Sequence, residues 1–275
     1  MADSGIFDFM RVGFCGIMDV TGKIAIVTGG SEGIGRSISE TLSREGVKVS
    51  ICSRRFDILN DAAIDITKRT GVEVLPIQAD ITNVEDINNL VNSTVTHFGG
   101  VDILVNNAGT AASKYFEDVS DELWNSDLDL KLMGAIRCSK AVLPFMKNQK
   151  WGRIINITTV GGKQPGASSM PTSISRAAGL GLTKALSHDY AKDNILVNTV
   201  CIGLVKSNQW IRKWESEKNH ETLDDLYHEM GKNIPMRRVG ESEEVANVVA
   251  FLASERASYV TGSSINLDGG TSGVL

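Results

Sequence analysis

The feature that most constrains this chain is a rhythm. Short, β-branched apolar runs alternate with helix-length amphipathic segments from residue 23 to the C-terminus. The runs are KIAIVT (23–28), VKVSIC (47–52), VEVLPIQAD (72–80), VDILVNNAG (101–109), RIINITT (153–159), NILVNTV (194–200) and SSINLDGG (263–270). Runs that are apolar at successive positions, rather than alternately, read as strands covered on both faces. Between the first two, Ile34, Ile38 and Leu42 share one helical face that stops at Gly46. A polar helix follows as far as Arg69, and another is expected from Val84 to Phe98. Strands separated by helices require right-handed crossovers and hence a parallel sheet with helices on both sides. The expected fold is therefore α/β, a three-layer, doubly wound parallel sheet.

With 275 residues, 42% of them hydrophobic, the chain can bury a single large core. No linker, low-complexity tract or internal repeat divides it. Residues 1–17 read as an N-terminal extension, either a tail or an arm on a neighbouring subunit, and 18–275 as one domain. The net charge of −5 disfavours a nucleic-acid or anionic-membrane partner. The four cysteines are scattered without a Cys-x-x-Cys pair, so neither a disulfide framework nor a metal site is expected. That usage fits a reduced, cytoplasmic setting. No apolar run approaches the ~20 residues that span a bilayer. The extension lacks the basic start and apolar centre of a signal peptide.

After the first strand comes 28-TGGSEGIG-35, with Gly29, Gly33 and Gly35 around Ser31, Glu32 and Ile34. Glycines there keep a turn tight and bring backbone close to a pyrophosphate at the next helix's N-terminus. This points to a Rossmann-type dinucleotide site, although the spacing differs from G-x-G-x-x-G. The second strand ends in Ser53, Arg54 and Arg55, with no acid. An acid there would hold both ribose hydroxyls and repel a 2′-phosphate, whereas arginine attracts the phosphate, so NADP is favoured over NAD. Glu32 argues the other way, and Arg54 and Arg55 as merely solvated residues is the plainer alternative.

T-G-x-x-x-G-I-G, Asp80 in QADIT, Asn106-Asn107-Ala108-Gly109 and 266-NLDGG-270 occur in order. Together they resemble the short-chain dehydrogenase/reductase family over essentially the whole domain. The resemblance implies that Asp80 and Ile81 flank an adenine and that Asn107, Ala108 and Gly109 line the cofactor's centre. Ile202 and Gly203 would lie beside the nicotinamide, and Ser207 would contact its carboxamide. It also implies a small-molecule substrate and a homo-oligomer, either tetramer or dimer.

The family's proton transfer uses a tyrosine, a lysine one helical turn later, a serine and an asparagine. Here Thr159 stands at the serine place, Thr172 at the tyrosine place, Arg176 at the lysine place and Lys131 at the asparagine place. No tyrosine occurs between Tyr115 and Tyr190, so no shift of alignment restores the pair. Thr159 keeps a hydroxyl that can orient a carbonyl. Arg176 keeps a charge that can hold ribose hydroxyls, yet it stays protonated and carries no proton. Thr172 is a far weaker acid than tyrosine. Lys131, in a desolvated pocket beside a cation, can have its pKa lowered into the range useful for acid/base work. The alternative is that Lys131 simply pairs with Asp127 or Asp129.

Residues 208–235 interrupt the rhythm with a charged helical insertion carrying Trp210, Trp214, Tyr227 and His228. It falls near the carboxyl ends of the strands and reads as a substrate lid. Lys114, Tyr115, Lys163 and His228 are further residues near the site's mouth. The expected function is an NAD(P)-dependent oxidoreductase interconverting an alcohol and a carbonyl through a non-standard proton relay. A non-redox lyase, hydrolase or isomerase on the same fold, and a silent nucleotide-binding protein, remain alternatives.

Overall fold

The computed structural model describes residues 18–275, so the N-terminal extension expected over 1–17 lies outside the described residues. The first half of the chain alternates strictly. It runs β1 (Ile24–Thr28), α1 (Gly33–Arg44), β2 (Lys48–Ser53), α2 (Phe56–Thr70), β3 (Val74–Gln78), α3 (Val84–Phe98) and β4 (Ile103–Asn106). The second half continues with β5 (Ser113–Lys114), α4 (Asp121–Leu128), α5 (Gly134–Gln149), β6 (Gly152–Thr159), β7 (Met170–Pro171) and α6 (Thr172–Tyr190). It ends with β8 (Ile195–Ile202), α7 (Asn208–Glu217), α8 (Leu223–Gly231), α9 (Ser242–Ala253) and β9 (Ser264–Leu267).

Seven strands form one parallel sheet in the order β3-β2-β1-β4-β6-β8-β9. The chain winds outward from β1 to β3, then returns to lay β4 on the other side of β1. Successive crossovers therefore leave in opposite directions at the β1/β4 boundary, and a crevice opens above the carboxyl ends of those two strands. Leu59, Ala62 and Ile66 of α2, Ile38 and Leu42 of α1 and Val245 and Val249 of α9 cover one face. Ile87 and Leu90 of α3, Cys138, Val142 and Met146 of α5 and partly buried Leu186 of α6 cover the other. The sandwich is the expected three-layer, doubly wound fold.

Local chemistry sets the element ends. Asn83 caps α3 by accepting from the backbone N–H groups of Glu85 and Asp86, and Gly99 closes it in the left-handed region at φ 101°. That helix matches its expected bounds. The runs at 72–80 and 101–109 shorten to β3 and β4, because Ala79-Asp80 and Asn107–Gly109 leave the sheet as loops over its carboxyl edge. The insertion at 208–235 breaks into α7 and α8, separated where Lys218 takes a left-handed conformation. An antiparallel β5–β7 ribbon, pairing Ser113 with Pro171 and Lys114 with Met170, was unforeseen, since two-residue strands carry no periodicity. No helix among the described residues is long and apolar enough to cross a membrane.

Asp102, at the amino end of β4, locks the sheet's centre. Its carboxylate accepts from the Ile24 N–H at 2.9 Å and from Gln149 Nε2 at 3.0 Å, with Lys23 at 3.5 Å. In Asp102→Ala the Ile24 N–H loses its partner in a buried place, at a cost of ~1–3 kcal/mol. Urea denaturation is expected to show that loss, and a midpoint equal to the wild type's would remove Asp102 from the account.

Candidate active site

The crevice is built from a threonine outward. Thr28, fully buried at the end of β1, sends its hydroxyl proton to the Val105 carbonyl at 3.3 Å. The same oxygen accepts from the N–H groups of Asn107 and Ala108 at 3.0 and 3.1 Å. Asn107 Nδ2 returns to the Thr28 carbonyl at 2.9 Å. The β4 loop is thus stitched to the glycine turn. Within that turn Gly29 sits at φ +68°, and a Cβ added to Gly35 would stand 2.1 Å from the Gly29 carbonyl oxygen. Only glycine lets helix and strand approach so closely.

Helix α1 starts at Gly33 with no side-chain cap and no acid in its first turn, whereas Asn83 serves α3 and Glu241 opens a capping box on α9. Its first N–H groups therefore face the crevice as donors for an anion. This cradle fits the pyrophosphate of a dinucleotide. Ser31 is buried beneath it, Ile34 packs on the core, and Ser207, the residue before α7, lies over Gly33.

Asp80 and Ile81, the residues expected to flank an adenine, follow β3. Asp80 turns its carboxylate to the backbone and hydroxyl of Thr82 at 2.9 and 2.8 Å. Burial alone would raise its pKa, but those two hydrogen bonds and nearby Arg54 outweigh burial and leave it below the usual carboxylate range. Ile81 is buried against Gly134. Ser53 Oγ donates to the Arg55 carbonyl at 3.3 Å. Arg54 is exposed and has no ion-pair partner among the described residues, while Arg55 pairs with Glu32. At the other end Gly203 donates to the Leu267 carbonyl at 2.9 Å, beside Ile202 at the end of β8.

The place where catalysis is expected holds a compact polar cluster. A π-helical turn, Asp129–Met133, joins α4 to α5 and swings Lys131 inward. The Lys131 side chain is 0% exposed and pairs with Asp127, one turn earlier. Lys131 Nζ also donates to Thr172 Oγ1 at 2.9 Å, and the Ala112 N–H donates to the same oxygen at 3.0 Å. Ser175 Oγ donates to the second Asp127 oxygen at 2.6 Å. Arg176 donates to the Ile157 carbonyl at 2.8 Å and lies against Gly109. Desolvation lowers the Lys131 pKa, with the charge of Arg176 adding to it and Asp127 opposing it. Burial brings the Arg176 guanidinium down to about 10, with Asp127 again opposing.

The structure therefore joins Lys131, Thr172 and Arg176 in one cluster. Thr159 stands apart from their hydrogen bonds, at the end of β6 before a turn that packs on α6. Among the described residues nothing hydrogen-bonds its hydroxyl. Asp129, the other acid considered for Lys131, pairs with Arg137 at 2.7 Å. Behind the cluster lies a cavity of about 10 Å³, near the least that admits one water. Asn106 Oδ1 and Arg176 Nε, two buried atoms without hydrogen-bond partners among the described residues, belong to residues that line it. Ser175 and the Ala112 N–H escaped sequence reasoning. Ser175 had a signal in its place on the Thr172–Arg176 helical turn, and Ala112 had none.

The remaining residues lie at the rim. Lys114 and Tyr115 are exposed on and beside β5, Lys163 Nζ donates to the Ser264 carbonyl at 2.7 Å, and His228 is exposed on α8. In the insertion Trp210, Leu223 and Met230 pack around Tyr227, Ile234 and Val239 as a small separate cluster. Trp214 Nε1 donates to the His220 carbonyl at 3.1 Å. No group of metal-ligating side chains occurs among the described residues.

A family model described as Enoyl-(Acyl carrier protein) reductase matches residues 29–272. The 3-oxoacyl-acyl-carrier-protein reductase FabG of Staphylococcus epidermidis is 35% identical over 248 residues, covering 90% of this chain and 98% of the relative. L-sorbose reductase from Gluconobacter frateurii, solved in complex with NADPH and L-sorbose, superposes with a TM-score of 0.89 at 33% identity. That match covers 94% of this chain and 99% of the other. YwfH, an NADPH-dependent reductase of bacilysin biosynthesis, superposes at 0.85 with 30% identity, covering 92% and 99%.

The cradle is directly testable. Gly35→Ala forces a Cβ onto the Gly29 carbonyl, so the turn must move. Dinucleotide affinity is expected to fall by at least ~10-fold, about 1.4 kcal/mol, while far-ultraviolet circular dichroism stays native. Wild-type thermal stabilisation by dinucleotide in this variant is the outcome that would remove the cradle from the site.

Proposed function

The chain belongs to the short-chain dehydrogenase/reductase family, and on that premise we propose that it is an NADP-dependent oxidoreductase interconverting a carbonyl and an alcohol. The carrying observation is the Lys131–Thr172 hydrogen bond beside an intact dinucleotide cradle. Arg54, exposed just after β2 and without an ion-pair partner among the described residues, supports NADP over NAD. The NADPH complex of the similar L-sorbose reductase and the NADPH dependence of YwfH support it too. A small-molecule substrate and a dimeric or tetrameric assembly belong to the same reading.

Gly29, Gly33 and Gly35 with the first turn of α1 would hold the pyrophosphate, Arg54 the 2′-phosphate, and Asn107–Gly109 with Ile202, Gly203 and Ser207 the nicotinamide half. The bound cofactor supplies hydride chemistry at its nicotinamide ring. The chain's own part is the proton. Thr172 Oγ1 accepts from both Lys131 and Ala112, so both lone pairs are engaged and its hydrogen must point to a third partner. That partner is the substrate oxygen. In reduction, Thr172 gives its proton to that oxygen and takes one from Lys131 Nζ, so a weak acid serves as a conduit. In oxidation the proton runs back to neutral Lys131. Asp127, steadied by Ser175, orients the ammonium. Arg176 remains charged throughout, and the free hydroxyl of Thr159 donates to the same substrate oxygen.

The lowered pKa of Lys131 sets the pH dependence. Reduction needs its protonated form, so kcat for reduction is level below that pKa and falls as pH rises through it, and oxidation shows the opposite limb. Lys131→Met is expected to lose the limb. Thr172→Val is expected to lower kcat by ~10²–10⁴-fold, the usual worth of positioned acid/base catalysis, and Thr172→Ser to restore most of it. Unchanged kcat in Thr172→Val, with the limb intact in Lys131→Met, defeats the relay. Nicotinamide absorbance that never changes across a panel of carbonyls and alcohols, despite cofactor binding, defeats the oxidoreductase reading itself.

A further inference from the structure

Glu32, in the middle of the glycine turn, lies at the focus of groups from two other segments. Arg55, the residue before α2, pairs with Glu32 Oε2. Arg212 NH1, on α7, reaches the same oxygen at 3.3 Å. Asn208 Nδ2, at the start of α7, donates to Oε1 at 2.8 Å. Arg54 stands next in the chain, exposed and unpaired among the described residues. A carboxylate in the cofactor turn is thus surrounded by the cations that an NADP site needs. One of those cations comes from the insertion, far away in sequence.

We propose that Glu32 is a placeholder for the cofactor's 2′-phosphate, and that Arg212 of α7 is a phosphate ligand which couples the insertion to cofactor binding. This inference rests on the NADP reading above. The charge count supports it. Arg54, Arg55 and Arg212 gather here against the carboxylates of Glu32 and of Asp80, which also feels the Arg54 charge, so a net positive charge is left to meet a phosphate monoester of about −1.5 to −2 at neutral pH. The exchange is also inexpensive. Arg55 and Arg212 are more than half exposed, at 57% and 55%. Exposed pairs of this kind contribute only ~0–1 kcal/mol each. A phosphate with three acceptor oxygens can draw both guanidiniums from one carboxylate through bidentate bonds. Glu32 keeps the two arginines gathered at the turn while the phosphate is absent. It thereby reconciles an acid in this turn with an NADP site.

The coupling follows from where the contacts lie. Asn208 and Arg212 both belong to the first half of α7, and α8 packs beyond it through Trp210 and Tyr227. A ligand that engages Arg212 therefore anchors the insertion at its entrance, beside Ser207 and over Gly33. Cofactor arrival would seat the segment before the substrate enters.

The test uses the intact protein with fragments of the two cofactors, adenosine 2′,5′-bisphosphate and adenosine 5′-monophosphate. Affinities come from titration and ligand-linked melting, and the backbone of 208–217 is followed by hydrogen exchange. Wild type is expected to prefer the bisphosphate, and Arg212→Met to lose ~10-fold of that preference, with affinity for the monophosphate unchanged, the worth of one charge-assisted contact. Bisphosphate is expected to slow exchange over 208–217 in wild type and not in Arg212→Met. Should wild type prefer the bisphosphate while Arg212→Met keeps both the full preference and the slowing, Arg212 is a solvated pair and the inference is overturned. Should wild type not distinguish the two fragments, the NADP reading fails and takes the inference with it.

Discussion

Two parallel strands part at their carboxyl ends, and the Thr28 hydroxyl keeps that parting in shape. β1 and β4 are paired through Val27 and Val105, then diverge because the crossovers that follow them leave on opposite sides. Their unpaired ends must satisfy buried backbone groups without a ladder. One buried hydroxyl does most of this, bonding Val105, Asn107 and Ala108, with the Asn107 amide closing back on Thr28. Glycine turn and β4 loop become a single rigid lip. The dinucleotide cradle, the start of α1 and the floor of the catalytic cluster all take their positions from it.

Behind that lip the protein buries charge, and the cost explains the cluster's form. A fully enclosed lysine is expensive unless paired and hydrogen-bonded. Lys131 meets both conditions, with Asp127 one turn back and Thr172 across the gap, and Ser175 occupies the second Asp127 oxygen. Arg176, half-buried, adds a like charge that keeps Lys131 easier to deprotonate. Such an arrangement holds a proton at one atom while leaving it removable, as acid/base chemistry requires. The family's tyrosine meets that need with one phenol. In the relay proposed above, the work is divided between the Thr172 hydroxyl and the Lys131 amine hydrogen-bonded to it.

Legibility from the sequence followed the range of the physics. The apolar runs and α3, with its Asn83 cap and Gly99 stop, were readable because strand burial, capping and left-handed glycine are local in sequence. The glycine turn was readable for the same reason. Lys131 and Asp127 were readable as an i,i+4 pair, though two acids were available and only the packing sends Asp129 to Arg137. The Ala112–Thr172 bond, the β5–β7 ribbon and the Glu32 clasp were not readable. Each joins segments far apart in the chain and leaves no periodicity behind.

The amino-acid sequence alone therefore determined the layered fold, the glycine turn and the absence of any tyrosine between Tyr115 and Tyr190, since these rest on patterning, spacing and residue identity. Tertiary structure decided which groups surround Thr172 and which cations Glu32 meets. Whether a lysine points at a threonine, or an arginine from an insertion meets a glutamate in a turn, depends on how separate crossovers converge at one edge of the sheet. Burial then adds what composition cannot encode. A lysine with no exposed side chain, held between an acid and a hydroxyl, has chemistry that the same lysine in water lacks.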